Sequence, residues 1–190
     1  MNRKLCYLLF LSFFVVDNMT AEPTQLAAPI PFINNHQELS TEIDIDTNDV
    51  LIEILSFEAF EKHIQSRKDN KLYIYNFWAT WCKPCVEELP YFEQLAATYP
   101  NEVEVILVSL DNPATAQKNL SAFIEQMRIN SKVIVVKNFG DKAISTINSD
   151  WDGAIPASLF INPVKEIHEF KAQSFTFSAL EKLLLDYSNQ

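Results

Sequence analysis

The sequence predicts an α/β fold: a mixed central sheet with helices on both faces, preceded by a short N-terminal β extension. Three observations lead there. Residues 71–78 (KLYIYNFW) and 102–110 (EVEVILVSL) are dense in aromatic and β-branched side chains, as buried strands are. A helical segment separates them, which makes a crossover connection and parallel pairing. Residues 157–161 and 166–171 are two more strands, joined by the turn Asn162-Pro163-Val164-Lys165, which makes a hairpin. Parallel and antiparallel pairs in one domain give a mixed sheet.

The elements follow in order. Residues 22–37 contain Pro23, Pro29 and Pro31 without periodicity and read as an extended lead-in. Residues 42–55 alternate apolar and acidic side chains, with a break at Thr47-Asn48-Asp49 that suggests two short strands about a turn. Ser56 is placed to cap a helix whose apolar face is Phe57, Phe60 and Ile64, ending near Arg67. After the turn Lys68-Asp69-Asn70 and the strand 71–78, a helix spans residues 82–99, with a kink expected at Pro90, which lacks a backbone donor. Strand 102–110 leads to Asn112-Pro113, a cap followed by proline at the first helical position, and a helix to about residue 129. A short strand at 132–136, a short helix at 141–147 and the hairpin follow. Thr176 caps a final helix that buries Leu180, Leu183 and Leu184.

The first residues read as a removable leader. Met1-Asn2-Arg3-Lys4 is basic, residues 5–16 are apolar, and Asp17 to Ala21 is a polar stretch ending in a small residue. That is the pattern of a secretory signal peptide over residues 1–21, with an uncleaved membrane anchor as the other reading. Residues 22–49 are then an extension and residues 50–190 one domain. The localisation expected is export, to the periplasm or held at the membrane by the leader. Of 190 residues 48% are apolar and 21% charged, a globular composition, and only 2 are glycine. The net charge of −10, with no basic cluster, speaks against nucleic acid as a partner.

Cys6 belongs to the leader, which leaves Cys82 and Cys85. A single close pair in an exported chain suggests working thiols rather than a disulfide scaffold. The pair lies where a buried strand hands over to a helix. Free N–H groups and the helix dipole there favour an anion, so Cys82 is placed to populate the thiolate that attacks disulfides. Cys85, one turn further on, can attack the resulting mixed disulfide and release the partner. Pro84 has no donor to waste in the first turn. A zinc site needs about four ligands, and His36, His63 and His168 show no ligand spacing. A structural disulfide closing so small a loop would stabilise little. A copper site of two cysteines and a distant histidine is a further alternative. No metal or cofactor is expected.

Residues 76–90, Asn-Phe-Trp-Ala-Thr-Trp-Cys-Lys-Pro-Cys-Val-Glu-Glu-Leu-Pro, resemble the active-site segment of the thioredoxin superfamily, above all its exported TlpA/ResA/CcmG-like branch. The resemblance covers roughly residues 50–190. It implies a thioredoxin fold and thiol–disulfide exchange, with Cys82 as nucleophile and Cys85 as resolving thiol. It also implies a cis bond at Ile155-Pro156, where the backbone of Ile155 pairs with the bound substrate chain. Cytosolic thioredoxins carry an aspartate where this chain has Asn76, which cannot take a proton. The branch instead has a glutamate three residues after the second cysteine, matching Glu88, so Glu88 is expected to relay a proton and Glu87 to be solvated. Lys83 and Asn76 are expected to tune the site, and Trp81 and Pro84 to meet the substrate. Trp78 is expected in the core. Trp151 is read either as core or as a partner contact, and Gly153 as a position of positive φ or close approach.

The resemblance further implies an enzyme that reduces disulfides in client proteins, including those of cytochrome c maturation, and is recharged by a membrane thiol donor; a monomer is expected. Two alternatives stay open. One is a disulfide oxidase or isomerase, against which Lys83-Pro84 counts because strong oxidants have proline-histidine there. The other is a non-catalytic binding or metal-delivery module on the same fold.

Overall fold

The computed structural model describes residues 52–189. The expected leader (1–21), the extension (22–49), Cys6, His36 and the first of the two short strands lie outside the described residues. Within them the order is β1 (Ile52–Ser56), α1 (Phe57–Gln65), β2 (Leu72–Trp78), α2 (Lys83–Thr98), β3 (Val103–Ser109) and α3 (Pro113–Met127). Then come β4 (Lys132–Lys137), α4 (Asp141–Ile147), β5 (Ala157–Asn162), β6 (Ile167–Lys171) and α5 (Phe177–Ser188).

The six strands form one sheet in the order β1-β4-β3-β2-β5-β6. The first four are mutually parallel, and β5 and β6 run antiparallel to their neighbours. The mixed sheet expected from the crossover and the hairpin is therefore present. Strand periodicity divides the core in two. Leu72, Ile74 and Trp78 of β2 face Leu89, Phe92 and Leu95 of α2, Leu120 of α3 and Leu180 of α5. Tyr73, Tyr75 and Phe77 face the other way, among Phe57 and Phe60 of α1, Ala143 and Ile147 of α4, and Trp151. Asn76 follows the even-numbered residues and is a polar side chain, fully buried, on the α2 side.

The helix starts are as the sequence predicts. Ser56 Oγ accepts the Ala59 N–H, Asn112 Oδ1 that of Ala114, and Thr176 Oγ1 that of Ala179, each satisfying a donor with no partner in the helix. Helix α3 stops two residues earlier than expected because Arg128 turns left-handed (φ 54°) and returns its N–H to Ile124 and Glu125. Pro90 lies within α2 without ending it, on the exposed side of the helix.

Candidate functional site

The site is assembled at the C-terminal ends of β2 and β3. Strand β2 ends at Trp78, and the loop Ala79-Thr80-Trp81 delivers the chain to α2. Cys82 is the N-cap of that helix, its backbone extended (φ −89°, ψ 96°), rather than its first helical residue. Its N–H bonds Ala79 O at 3.0 Å and its C=O accepts from Val86 N–H at 3.0 Å. Its side chain makes no capping hydrogen bond. The two sulfurs are joined in a disulfide with Cα atoms 5.3 Å apart. Cys82 keeps 6% of its surface exposed and Cys85 none.

A second loop closes over the first. Ile155-Pro156 is a cis peptide, as the resemblance implied, and the Ile155 carbonyl lies 3.8 Å from Cys82 Sγ. The loop is held from behind. Trp151 Nε1 donates to Ala154 O at 2.8 Å, and Ala154 N–H to Asp152 Oδ1 at 2.9 Å. The Trp151 ring is buried against Phe77, Phe139 and Phe170, which decides between its two readings in favour of the core. Gly153 has φ 87°, and a Cβ there would stand 2.9 Å from Ile144 Cδ1, so both reasons for glycine apply.

Glu88 sits one turn below Cys85 and is 2% exposed. Its Oε1 accepts from Asn76 Nδ2 at 2.9 Å and its Oε2 from the Phe175 N–H at 2.8 Å. Burial pushes its pKa up to about 7, against the pull of those two hydrogen bonds. A carboxyl group with such a pKa can take up and return a proton at neutral pH. Asn76 also donates to Ser158 Oγ at 3.1 Å, and its own Oδ1 has no partner among the described residues.

The other expected residues separate into exposed and buried. Trp81 is 71% exposed beside Cys82, and Pro84 is exposed as the second residue of α2. Lys83 is exposed and pairs loosely with Glu87 across one helical turn at 3.8 Å. Solvent screens both charges. Trp78 is fully buried, its ring 5.5 Å from that of Phe123.

Sequence reasoning missed Asp111. Its carboxylate accepts the Thr80 N–H at 3.0 Å, the Thr80 hydroxyl at 2.6 Å and the Ser109 hydroxyl at 2.8 Å. It ties the loop before Cys82 to the end of β3, helped by the Leu110 N–H bond to Trp78 O at 2.8 Å. Asp111 reads in the sequence as part of a helix start, and no local pattern points it at Thr80. Ser158 and the Phe175 N–H were missed as well, because the meeting of Ser158 with Asn76 depends on strand register and that of Phe175 with Glu88 on loop path.

A family model described as the AhpC/TSA family matches residues 54–170. The chain is 33% identical over 144 residues to the thiol-disulfide oxidoreductase ResA of Oceanobacillus iheyensis, covering 75% of this chain and 71% of that one. Among solved structures, a thioredoxin-related protein from Neisseria meningitidis serogroup B aligns with a TM-score of 0.56 at 19% identity, over 67% of this chain and 91% of that one. A thiol:disulfide interchange protein of the thioredoxin family from Chlorobium tepidum aligns with a TM-score of 0.54 at 19% identity, over 62% and 80%. These two likenesses show the thioredoxin fold.

Proposed function

The chain belongs to the AhpC/TSA family and is a thiol–disulfide oxidoreductase, and from that premise we propose that it is an exported reductase of disulfides in client proteins. The observation that carries the order of events is the unequal burial of the two cysteines. Cys82, at the mouth of the site, is the sulfur a client can reach, and Cys85 is enclosed behind it.

In the reduced protein the N-terminus of α2 stabilises the Cys82 thiolate. The thiolate attacks a client disulfide, one client sulfur leaves with the electron pair, and Cys82 is joined to the other. Cys85 then gives its proton to Glu88 and attacks Cys82. The second client sulfur leaves, and the protein is left in the disulfide form. Trp81 and Pro84 offer the client an exposed apolar contact, and the Ile155 backbone beside cis Pro156 offers it a strand partner. Lys83 and Asn76 tune the site, Asn76 through the Glu88 carboxylate. The leader signature in residues 1–21 supports export, and re-reduction then calls for a thiol donor at the membrane. Clients of cytochrome c maturation fit such a location. The site itself is complete in one chain, which supports a monomer.

The reduction potential tests the direction. Equilibration of the Cys82–Cys85 pair with dithiothreitol or glutathione should place it near or below roughly −230 mV, on the thioredoxin side of the scale. A value of roughly −120 to −180 mV, the range of disulfide donors and isomerases, would overturn the reducing direction.

A further inference from the structure

Asn76, Glu88 and Ser158 form a small polar island in an apolar core. Asn76 stands opposite Ser158 in the β2–β5 register, and all three residues are buried. Asn76 Nδ2 spends both of its protons, on Glu88 Oε1 at 2.9 Å and on Ser158 Oγ at 3.1 Å. The other end of the same amide, Oδ1, is buried and unpaired among the described residues. This arrangement suits an ionised Glu88, which only accepts hydrogen bonds. It leaves the Ser158 hydroxyl proton without an acceptor among the described residues.

A proton on Glu88 reverses the demand. The new O–H needs an acceptor, and Oε2 already faces the Phe175 N–H. Asn76 approaches Glu88 from β2 and Phe175 from the segment before α5, and Cys85 lies one turn earlier on Glu88's own helix. Among the described residues no charged side chain acts on the carboxyl. In the disulfide form the Cys85 sulfur is a weak acceptor, which leaves Asn76 Oδ1 as the idle one. A half turn of the amide exchanges oxygen for nitrogen within nearly the same volume. Oδ1 then accepts from both the Glu88 O–H and the Ser158 O–H. In either orientation one end of the amide makes two hydrogen bonds and the other none, so the proton decides between them.

We propose that the Asn76 side-chain amide turns over with the Glu88 proton, offering N–H to the carboxylate and C=O to the carboxylic acid, with the Ser158 hydroxyl reversing in step. The inference rests on the reading of Glu88 as the proton acceptor for Cys85, and it makes Asn76 and Ser158 positioning residues for that transfer. During resolution the proton leaves Cys85 Sγ for Glu88. The Cys85–Cys82 bond forms, the Cys82–client bond breaks, and the departing client sulfur takes the electron pair and then a solvent proton. The turned amide holds the Glu88 proton towards Asn76 and away from the Cys85 thiolate, which keeps the sulfur lone pairs free to attack.

Nuclear magnetic resonance on the labelled, oxidised full chain tests this without any client. The Asn76 side-chain amide protons and the Glu88 carboxyl carbon are followed through a pH range centred on about 7. The amide protons should be downfield and slow to exchange on the alkaline side. They should be upfield and faster on the acid side, with the midpoint of the carboxyl carbon. Glu88→Gln should abolish that midpoint in the amide signals. Amide protons that stay hydrogen-bonded on both sides while Glu88 titrates would overturn the turnover, as would a Glu88 that does not titrate there. Disulfide reduction measured on the same sample keeps the two readings apart. Activity with a motionless amide sinks the turnover alone, and a turning amide without activity sinks the reductase alone.

Discussion

At the scale of single residues the two cysteines differ in access, and their serine variants should fail differently. Cys82→Ser should abolish exchange. Cys85→Ser should retain the first attack and accumulate a mixed disulfide with a client, visible as a dithiothreitol-sensitive band on a non-reducing gel. No such band would mean that the enclosed sulfur is not the resolving one. Glu88→Gln keeps the shape of the side chain and removes its proton chemistry. Stopped-flow measurement at neutral pH should show resolution slowed on the order of 10²-fold, the low end for a lost acid–base group, with the first attack little changed. Asp111→Ala should leave the Thr80 N–H and hydroxyl without their acceptor and cost about 1–3 kcal/mol in urea unfolding.

At the scale of elements, the loop from Trp151 to Pro156 is a built piece of the site. Gly153→Ala should be destabilising by about 1–2 kcal/mol, from its positive φ and the crowding against Ile144. Thermal and urea unfolding would register it, and an unchanged midpoint would count against the strain. The helix and strand order was readable in the sequence because each element carries its own signal. Examples are the caps at Ser56, Asn112 and Thr176, the dense strands β2 and β3, and the Asn162-Pro163 turn. Cys82, Cys85 and Glu88 were readable for the same reason, since their spacing along one helix fixes their faces. The contacts that were not readable cross the sheet or bridge loops. Asn76 meets Ser158 only because β2 pairs with β5 in one register, and it meets Glu88 only because α2 packs on that face of β2. Asp111 meets Thr80 only because β3 ends beside β2. Trp151 had two readings because a tryptophan near a loop serves equally as core or as contact, and the ring neighbours that decide come from β2, β6 and the segment after β4.

At the scale of the whole molecule, the titrations of buried Glu88 and half-buried His63 oppose one another. Glu88 in the fold titrates at about 7 instead of 4.5, so the native state binds the proton more tightly than the unfolded chain. Stability from this group falls by about 3 kcal/mol as pH rises through that window. His63 does the reverse. Burial, helped by the nearby Arg67 and Lys132, lowers it from 6.5 to about 4, so stability rises with pH across that span. The two slopes overlap and should leave the oxidised protein with a nearly flat profile between about 4.5 and 6.5. Glu88→Gln should uncover the rising His63 limb, and His63→Gln the falling Glu88 limb. Matching profiles for both variants in urea titrations would refute the pairing. The strand pairing also has a consequence during synthesis. Ile52 pairs with Val133, and Tyr73 with Ile161, so the sheet cannot close until most of the chain has been made. Cys82 and Cys85 have emerged well before then, and until β5 arrives the Ile155-Pro156 loop that lies beside Cys82 is missing. The growing chain therefore passes through an interval in which both thiols exist before the sheet does, and the difference in access that the finished fold imposes is not yet in place.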